Sequence, residues 1–339
     1  RKLLPLPWLH IQDEVPDGVV FLKGRTHPSS KPTRAVISRA LSLGWYHRLV
    51  YRYPVQCLRR GYFTFGPATL RSGDLFGFFQ KESTVRGLDR LLVYPRIVSL
   101  EKLGLPSRDP FGDLRIRRHL FEDPVQVLGT RDYAYGDPLK RIHWKATARL
   151  SRLQTRVFEP TTTVDLALFL DTRTAVLPHM GTSEQLLETA VITAASIASY
   201  ALRQGYRIGL YVNESYRETQ RMIKLPPSDH PEQEVRVLEA LAQVQGWPFL
   251  PVEDLLNSEG RGLPWGATLA IITAAPLAPV LASLHRFRRA GRRVALIVVG
   301  SDGPQLSMNG ITVYRVSEQL YRQEHDALRL LDSSSGEEH

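Results

Sequence analysis

A run of basic, acidic and aromatic side chains between residues 129 and 159 is the densest group of chemically capable residues in the chain. It contains the cations Arg131, Arg141, Lys145, Arg149, Arg152 and Arg156, the carboxylates Asp132, Asp137 and Glu159, and the aromatic residues Tyr133, Tyr135 and Trp144. Paired arginines and carboxylates can fix an irregular segment between two domains through bidentate hydrogen bonds. An exposed set of Arg, Tyr and Trp is also typical of a protein-binding hot spot. Phosphate or nucleic-acid binding is a third possibility, although no nucleic-acid-binding motif accompanies the run.

His143 is the one residue of this run that suggests catalysis. No nucleophile stands at a characteristic spacing from it, and the single cysteine, Cys57, is far away in the sequence. We therefore expect a packed or hydrogen-bonding histidine. The chain also lacks a phosphate-binding Gly-x-x-x-x-Gly-Lys-Ser/Thr loop, Gly-x-Ser-x-Gly, His-Glu-x-x-His and Cys-x-x-Cys. These absences predict a protein that is not an enzyme and needs no cofactor.

Composition and charge limit the partners further. The 339 residues, 43% of them hydrophobic, are enough for two domains, and one cysteine excludes an internal disulfide. Residues 1–163 carry 28 Lys and Arg against 14 Asp and Glu, whereas residues 164–339 carry 16 against 20. The basic half suggests anionic lipid, nucleic acid or an acidic protein surface, with a solvated arginine-rich face as the alternative. No apolar run reaches the length of a membrane span, and Arg1-Lys2 before an apolar stretch suggests a juxtamembrane start.

The elements that must position these residues divide into two kinds. Short runs rich in Val, Ile, Tyr and Phe predict an immunoglobulin-like β-sandwich over residues 1–105. Its predicted strands are Val19–Lys23, Ala35–Ile37, Leu49–Tyr53, Tyr62–Phe65 and Leu91–Val93. Residues 106–160 are expected to join the domains and to carry the charged run. Within them, Val125–Leu128 is predicted as a strand and Asp113–Leu120 as a short helix or loop.

Residues 161–331 alternate apolar strands with amphipathic helices. The predicted strands are Val164–Leu170, Arg207–Val212, Thr268–Thr273, Val294–Val299 and Ile311–Val316, and the predicted helices are Ser183–Gln204, Pro231–Gln243, Pro276–Ala290 and Ser317–Leu331. This alternation predicts a doubly wound α/β domain, in which ligands bind at the carboxyl ends of the strands. Residues 332–339 are expected to be a disordered tail.

Two ordered stretches resemble a known family. The first is Arg59-Arg60-Gly61-Tyr62 with Gly66-Pro67, then Asp74-Leu75-Phe76-Gly77-Phe78 and Val93-Tyr94-Pro95. The second comprises residues 129–137 and 141–149, then Leu153, Arg156 and Glu159. Together they are similar to the signature of the domain of unknown function 58 family. The residues taken as its protein-binding or interdomain signature are Arg131, Tyr133, Asp137, Arg141, His143, Trp144, Lys145 and Arg149.

The resemblance implies more than the residues themselves do. It implies two transmembrane helices ahead of the soluble part, a β-sandwich before a von Willebrand factor A-like domain, and a MoxR-type AAA+ ATPase as partner. The expected protein is a membrane-associated scaffold or adaptor at the cytoplasmic face of the bacterial inner membrane, tethered by a segment absent from this chain. Fold does not fix function, so this step is analogy. One alternative function is nucleic-acid or polyanion binding through the basic half, although nucleic acid is not the expected partner. A second alternative is a cryptic enzyme.

Domains like von Willebrand factor A often hold Mg²⁺ through Asp-x-Ser-x-Ser at the end of the first strand. Here that strand ends Asp171-Thr172-Arg173-Thr174-Ala175, so arginine and alanine replace the two serines. Neither can ligate Mg²⁺ as a hydroxyl does. The strand ending at Thr273 supplies no carboxylate, which leaves Asp229 and Asp302 in loops. We therefore expect a degenerate site without metal, in which Arg173 pairs with Asp171.

Overall fold

The computed structural model describes residues 5–22, 26–29, 31, 33–74, 76, 78–106, 121–135, 137–161, 164–175, 181–216, 219–300, 308–319 and 321, with the backbone alone at 121–128 and 158–161. Two compact units divide between Pro95 and Arg96. We call them the β unit, up to Pro95, and the α/β unit, from Arg96 to Glu324. The sequence placed the end of the first domain at residue 105. Leu100, Leu103 and Leu105 instead belong to the hydrophobic core of the α/β unit.

The β unit consists of antiparallel strands. They are β1 Leu6–Pro16, β2 Val19–Phe21, β3 Thr26–Pro28, β4 Arg34–Leu43, β5 Val55–Cys57, β6 Gly61–Phe65, β7 Ala68–Gly73, β8 Gln80–Val85 and β9 Asp89–Val93. Five of them form a sheet in the order β3-β4-β1-β7-β8, and β2 pairs with β5 and β6 with β9. The N-terminal part of the described chain is therefore β-rich, as the sequence predicts.

One predicted strand of this unit is wrong. Residues 49–53 lie outside any strand. Their aromatic rings make side-chain contacts instead: Tyr51 stacks on Tyr53 at 6.2 Å, and the Arg39 guanidinium lies 4.7 Å from the Tyr51 ring centre. The alternation of apolar and polar residues at 49–53 therefore accompanies contacts between aromatic side chains, and these residues do not form a β-strand.

The α/β unit is built on a six-stranded sheet. Its strands are β12 Asp165–Leu170, β13 Arg207–Ser215, β14 Met222–Ser228, β15 Thr268–Thr273, β16 Arg293–Val299 and β17 Thr312–Val316. Their order is β14-β13-β12-β15-β16-β17. Only the edge strand β14 pairs antiparallel within this sheet. The helices are α2 Glu184–Arg203, α3 Gln233–Ala242, α4 Val252–Gly262 and α5 Ala278–Arg289.

Helices cover both faces of this sheet, as the alternation predicts. Leu166, Leu168 and Leu170 of β12 point to the face that α2 and α3 cover. Ala167 and Phe169 point to the opposite face, covered by α4 and α5. By length and composition α2 is the one helix among the described residues that is long and apolar enough to cross a membrane. Of its 18-residue apolar stretch, 72% is buried inside the protein. It is therefore the core helix of this unit.

The segment between the predicted domains forms a hairpin with an insertion. Strands β10 Phe121–Asp132 and β11 Gln154–Thr161 pair antiparallel, with the 3-10 turn Leu139–Arg141 and helix α1 Trp144–Leu150 between them. The predicted strand at 125–128 lies in β10 and is confirmed. The element predicted at 113–120 lies outside the described residues, as do most of the helix predicted at 317–331 and the tail at 332–339.

Candidate functional site

The insertion at the end of the β10–β11 hairpin is folded against the start of β11. The Tyr133 N–H donates to the Leu153 carbonyl at 2.8 Å, and the His143 N–H donates to the Gln154 carbonyl at 2.7 Å. Beneath these bonds Ile142, Gln154 and Thr155 are buried. Since the backbone of both ends is fixed by hydrogen bonds, the insertion is an ordered platform.

Asp137 is the junction of this platform. Its Oδ1 accepts from Arg131 Nη2 at 2.7 Å. Its Oδ2 accepts from the Ala134 N–H at 3.0 Å and from the Thr155 hydroxyl at 3.2 Å. The Arg131 bond, with the bonds from Ala134 and Thr155, holds the pKa of the Asp137 carboxyl below its usual value. One carboxylate thus ties both strands to the turn between them.

His143 has a structural role that the sequence left open. Its Nδ1 accepts from the Ala146 N–H at 3.1 Å and so caps helix α1. The Thr147 hydroxyl of α1 accepts from the Gln154 N–H at 3.0 Å. A polar side chain that accepts from the first free N–H groups stabilises the start of a helix. His143 therefore orients α1 on the platform, in agreement with the expected hydrogen-bonding histidine.

Helix α1 buries none of its seven residues. Its first residue, Trp144, keeps 66% of its surface exposed, and Leu150 at its end keeps 54%. Leu139, just before the helix, is 71% exposed, and Lys145 and Arg149 are also exposed. We call Leu139, Trp144, Lys145, Arg149 and Leu150 the signature surface. Short helices in folded proteins are normally stabilised by burying an apolar face. Helix α1 is an exception, because its apolar side chains stay exposed.

The structure gives six of the eight predicted signature residues one of two roles. Arg131, Asp137 and His143 hold the platform, and Trp144, Lys145 and Arg149 are exposed on it. Tyr133 and Arg141 are half-buried. The sequence offered an arginine–carboxylate lock between the domains and an exposed hot spot as alternatives. The platform has one local arginine–carboxylate pair and several exposed side chains, and both alternatives stay predictions.

A second polar cluster lies at the carboxyl end of the α/β sheet. Asp171 follows β12 and is 2% exposed. Its Oδ1 accepts from Asn213 Nδ2 at 2.8 Å and from the Arg173 N–H at 3.1 Å, and its Oδ2 accepts from the Thr273 hydroxyl at 2.9 Å. Burial raises the pKa of Asp171, against the lowering effect of these donors and of the Arg173 charge. The site lies between β12 and β15, where the strand order reverses and ligands of doubly wound folds bind.

This cluster bears on the predicted degenerate metal site. Asp171 receives its hydrogen bonds from neutral donors, and the Arg173 backbone N–H is one of them. The Arg173 charge also lowers the pKa of Asp171, so the expected pairing of Arg173 with Asp171 stays a prediction. Asp229 raises the pKa of Asp165 at the opposite end of β12, so it belongs to the other edge of the sheet. Among the described residues no group of three or more His, Cys, Asp or Glu comes together; Asp302 lies outside them.

The same edge carries two exposed aromatic residues that the sequence did not single out. Glu214 accepts from the N–H groups of Gln245, Gly246 and Trp247 at 2.8, 2.9 and 3.2 Å. This bonding fixes a loop on which Trp247 and Phe249 are 74% and 71% exposed. Gly246 has a φ of +88°, and a Cβ there would lie 2.7 Å from the Thr182 side chain. In the sequence, Gly246-Trp247-Pro248 indicates a turn at this place, since glycine and proline mark turns.

The chain thus contains a β-rich unit and a doubly wound α/β unit, and the α/β unit carries the hairpin platform and the Asp171 cluster. The pattern of one protein family, described as Protein of unknown function DUF58, matches residues 129–308, just over half of the chain. The chain belongs to this family, so the resemblance is confirmed at that level. It is similar to the uncharacterized protein YeaD of Bacillus subtilis (strain 168), with 27% identity over 216 residues. That match covers 62% of this chain and 49% of YeaD, so the chain spans about half the length of that relative.

Proposed function

We propose that this protein is a non-catalytic adaptor that binds a protein partner through the signature surface. The single observation that carries the proposal is α1, a short helix with no buried residue and an exposed tryptophan at its start. Tryptophan and arginine are the residue types most enriched among binding hot spots. An exposed Trp144 next to Lys145 and Arg149 fits a partner with an apolar pocket bordered by carboxylates.

The order of the platform supports the same proposal. Asp137 and His143 fix the turn and the start of α1 through hydrogen bonds of 2.7 to 3.2 Å. A surface held in one conformation loses less conformational entropy when it binds, which increases affinity without new contacts. The polar groups of the insertion therefore preorganise the apolar and basic groups that a partner would contact.

The partner and the setting come from the family resemblance. We propose a MoxR-type AAA+ ATPase as the partner and the cytoplasmic face of the bacterial inner membrane as the location, with a membrane tether outside this chain. We further assign the β unit to an immunoglobulin-like sandwich and the α/β unit to a von Willebrand factor A-like domain. The six-strand order β14-β13-β12-β15-β16-β17 with an antiparallel edge supports the second assignment. Fold alone leaves the function open.

Titration of the purified chain with a MoxR-type ATPase from the same bacterium tests the proposal. We expect Trp144→Ala to weaken binding at least about 30-fold, since a hot-spot residue is worth roughly 2 kcal/mol or more. Trp45→Ala and Trp247→Ala are matched controls, since both tryptophans are exposed, at 62% and 74%. We expect both control variants to bind as the wild type does.

Three other results would contradict the proposal in different ways. Equal binding by Trp144→Ala and wild type would remove the signature surface from the interface. Loss in Trp247→Ala alone would move the interface to the carboxyl edge of the α/β sheet. Capture of nucleic acid in place of the ATPase, lost at high salt and after nuclease treatment, would favour polyanion binding through the basic half.

A further inference from the structure

The tip of the β7–β8 hairpin carries three exposed phenylalanines. Phe76, Phe78 and Phe79 keep 81%, 79% and 79% of their surfaces exposed. Single exposed apolar residues are ordinary on proteins, but three large aromatic side chains within four positions form a patch. Patches of this kind mark surfaces that contact a protein, a ligand or a membrane.

A second exposed aromatic pair leaves the sheet at the same end. Trp45 and Tyr46, just after β4, are 62% and 67% exposed. In the register of the sheet, Leu43 at the end of β4 pairs with Leu6, and Gly73 at the end of β7 pairs with Trp8. Because β4 and β7 flank β1, their ends lie about 10 Å apart at the end of the sheet where β1 begins. We call Trp45, Tyr46, Phe76, Phe78 and Phe79 the aromatic end.

Hydrogen bonds between Asp74 and Phe79 close the base of the hairpin tip. The Asp74 N–H donates to the Phe79 carbonyl at 3.1 Å, and the Phe79 N–H donates to Asp74 Oδ1 at 2.9 Å. The Trp8 indole N–H donates to the Asp74 carbonyl at 3.0 Å. The rings of Phe76 and Phe78 lie 6.3 Å apart. The hydrogen bonds therefore hold the base of the tip to the sheet while the rings point outward.

The charge of the β unit identifies the kind of surface that fits the aromatic end. Residues 1–95 carry 15 Lys and Arg against 6 Asp and Glu, a balance of +9, although the whole chain has +10. Exposed Arg48 follows Trp45 and Tyr46, and exposed Lys81 follows the hairpin tip. Cations beside Trp, Tyr and Phe are the combination found where proteins meet anionic lipid headgroups. A second copy of the chain would bring the same positive charge to the contact, and like charges repel.

We propose that the aromatic end binds the surface of an anionic lipid bilayer. The aromatic rings enter the boundary between headgroups and acyl chains, and Arg48 and Lys81 contact the lipid phosphates. This surface lies in the β unit and shares no residue with the signature surface, so either proposal can fail without the other.

Co-sedimentation of the full chain with lipid vesicles tests this proposal. We expect binding to vesicles of phosphatidylcholine and phosphatidylglycerol, weakened by salt, and little binding to phosphatidylcholine alone. The double variant Phe76→Ser/Phe78→Ser should lower the partition coefficient by about tenfold or more, given the area two phenylalanines bury. Lys81→Ala should lower it about fivefold, the effect of one cation near an anionic surface. Phe249→Ser, at an exposed aromatic position of the α/β unit, is the matched control and should bind as wild type.

Fluorescence gives a measurement that does not depend on sedimentation. Brominated acyl chains should quench part of the tryptophan emission of the wild type, and Trp45→Phe should remove most of that quenching. Equal sedimentation of the Phe76→Ser/Phe78→Ser variant and the wild type would overturn the proposal, and so would equal binding to neutral and anionic vesicles. Concentration-dependent dimers that disappear in the double variant, without vesicle binding, would assign the aromatic end to a second copy of the chain.

Discussion

Asp171 is a buried carboxylate whose hydrogen bonds come from neutral donors. It lies between β12 and β15, where the strand order of the α/β sheet reverses. Its three donors are Asn213 Nδ2, the Thr273 hydroxyl and the Arg173 N–H. A buried carboxylate is stabilised by hydrogen bonds but still loses the hydration that water gives to its charge. The raised pKa of Asp171 expresses that loss, with burial as its largest cause. The folded protein thus favours the protonated carboxyl more than the unfolded chain does.

This raised pKa predicts how stability depends on pH. Because the folded state binds the proton more tightly, the contribution of Asp171 to stability is greatest at low pH. It falls as pH rises from the unfolded value of about 4 through the raised folded value. We expect Asp171→Asn to remove this dependence, so that the free energy of unfolding of the variant relative to the wild type is higher at pH 7 than near pH 4. Denaturant unfolding at both pH values measures the difference.

The same variant also tests the degenerate metal site. If Asp171 held Mg²⁺, millimolar Mg²⁺ would raise the melting temperature of the wild type, and Asp171→Asn would abolish that effect. We expect no Mg²⁺ effect on either protein. Asp229→Asn, at an exposed aspartate of the same unit, is the matched control and should change stability by less than about 0.5 kcal/mol. A clear loss of stability at pH 7 in Asp171→Asn would show that the carboxylate is needed.

At the scale of elements, one carboxylate, Asp137, joins both strands of the β10–β11 hairpin to the turn between them. Asp137→Ala removes the acceptors for Arg131, Ala134 and Thr155 together. We expect chymotrypsin to cleave the insertion several-fold faster in this variant, and partner binding to weaken because α1 loses its fixed position. Trp144→Ala should weaken binding without making the platform easier to cleave at its other sites. This contrast separates a positioning residue from a contact residue.

The lowered pKa of Asp137 gives the platform a pH dependence of the opposite sign. The stabilisation from the Asp137 carboxylate is fully present above its unfolded pKa and is lost as pH falls through the lowered folded value. Proteolytic resistance of the insertion should therefore decrease only in acid. Arg152→Ala, at an exposed cation of the same insertion, should cleave at the wild-type rate. Unchanged cleavage of Asp137→Ala would assign the order of the platform to its backbone bonds.

Elements with a strong hydrophobic period could be predicted from the sequence, and elements without such a period could not. The helix predicted at 183–204 is α2, where apolar residues recur at helical spacing and Gly205 follows. Strand β1 was missed because polar residues and prolines interrupt its pattern, and it forms through pairing with β4 and β7 on both sides. Helix α1 was missed because it has no buried apolar face to give a period.

The candidate sites follow the same rule. The sequence identified Asp171 and the residues around Trp144, because strand ends and charged runs are visible in order. It could not show that Asp137 joins Arg131 to Thr155, since these residues meet only through the β10–β11 register. It also could not show that the Gly246–Trp247 loop is fixed by Glu214, which lies about thirty positions earlier on β13. Contacts between distant segments depend on the fold, and a single sequence does not contain their distances.

At the scale of the whole molecule, the two units differ greatly in their cores. Among the described residues of the β unit, the buried hydrophobic side chains are Leu9, Val15, Val19 and Ile37. The sheet of the α/β unit instead has a buried hydrophobic cluster on each face. Since burial of apolar surface is the main favourable contribution to folding, the β unit should open at a lower free energy than the α/β unit.

Hydrogen exchange measured by mass spectrometry checks this difference. We expect amides of β1, β4 and β7 to exchange at least about tenfold faster than amides of β12 and β15, since local opening is governed by the core that each unit buries. Addition of anionic vesicles should slow exchange at the β7–β8 tip and its flanking strands and leave β12 and β15 unchanged, because a ligand stabilises the state it binds. Equal exchange in both units would mean that they unfold together. Protection by vesicles confined to the α/β unit would place lipid binding away from the aromatic end.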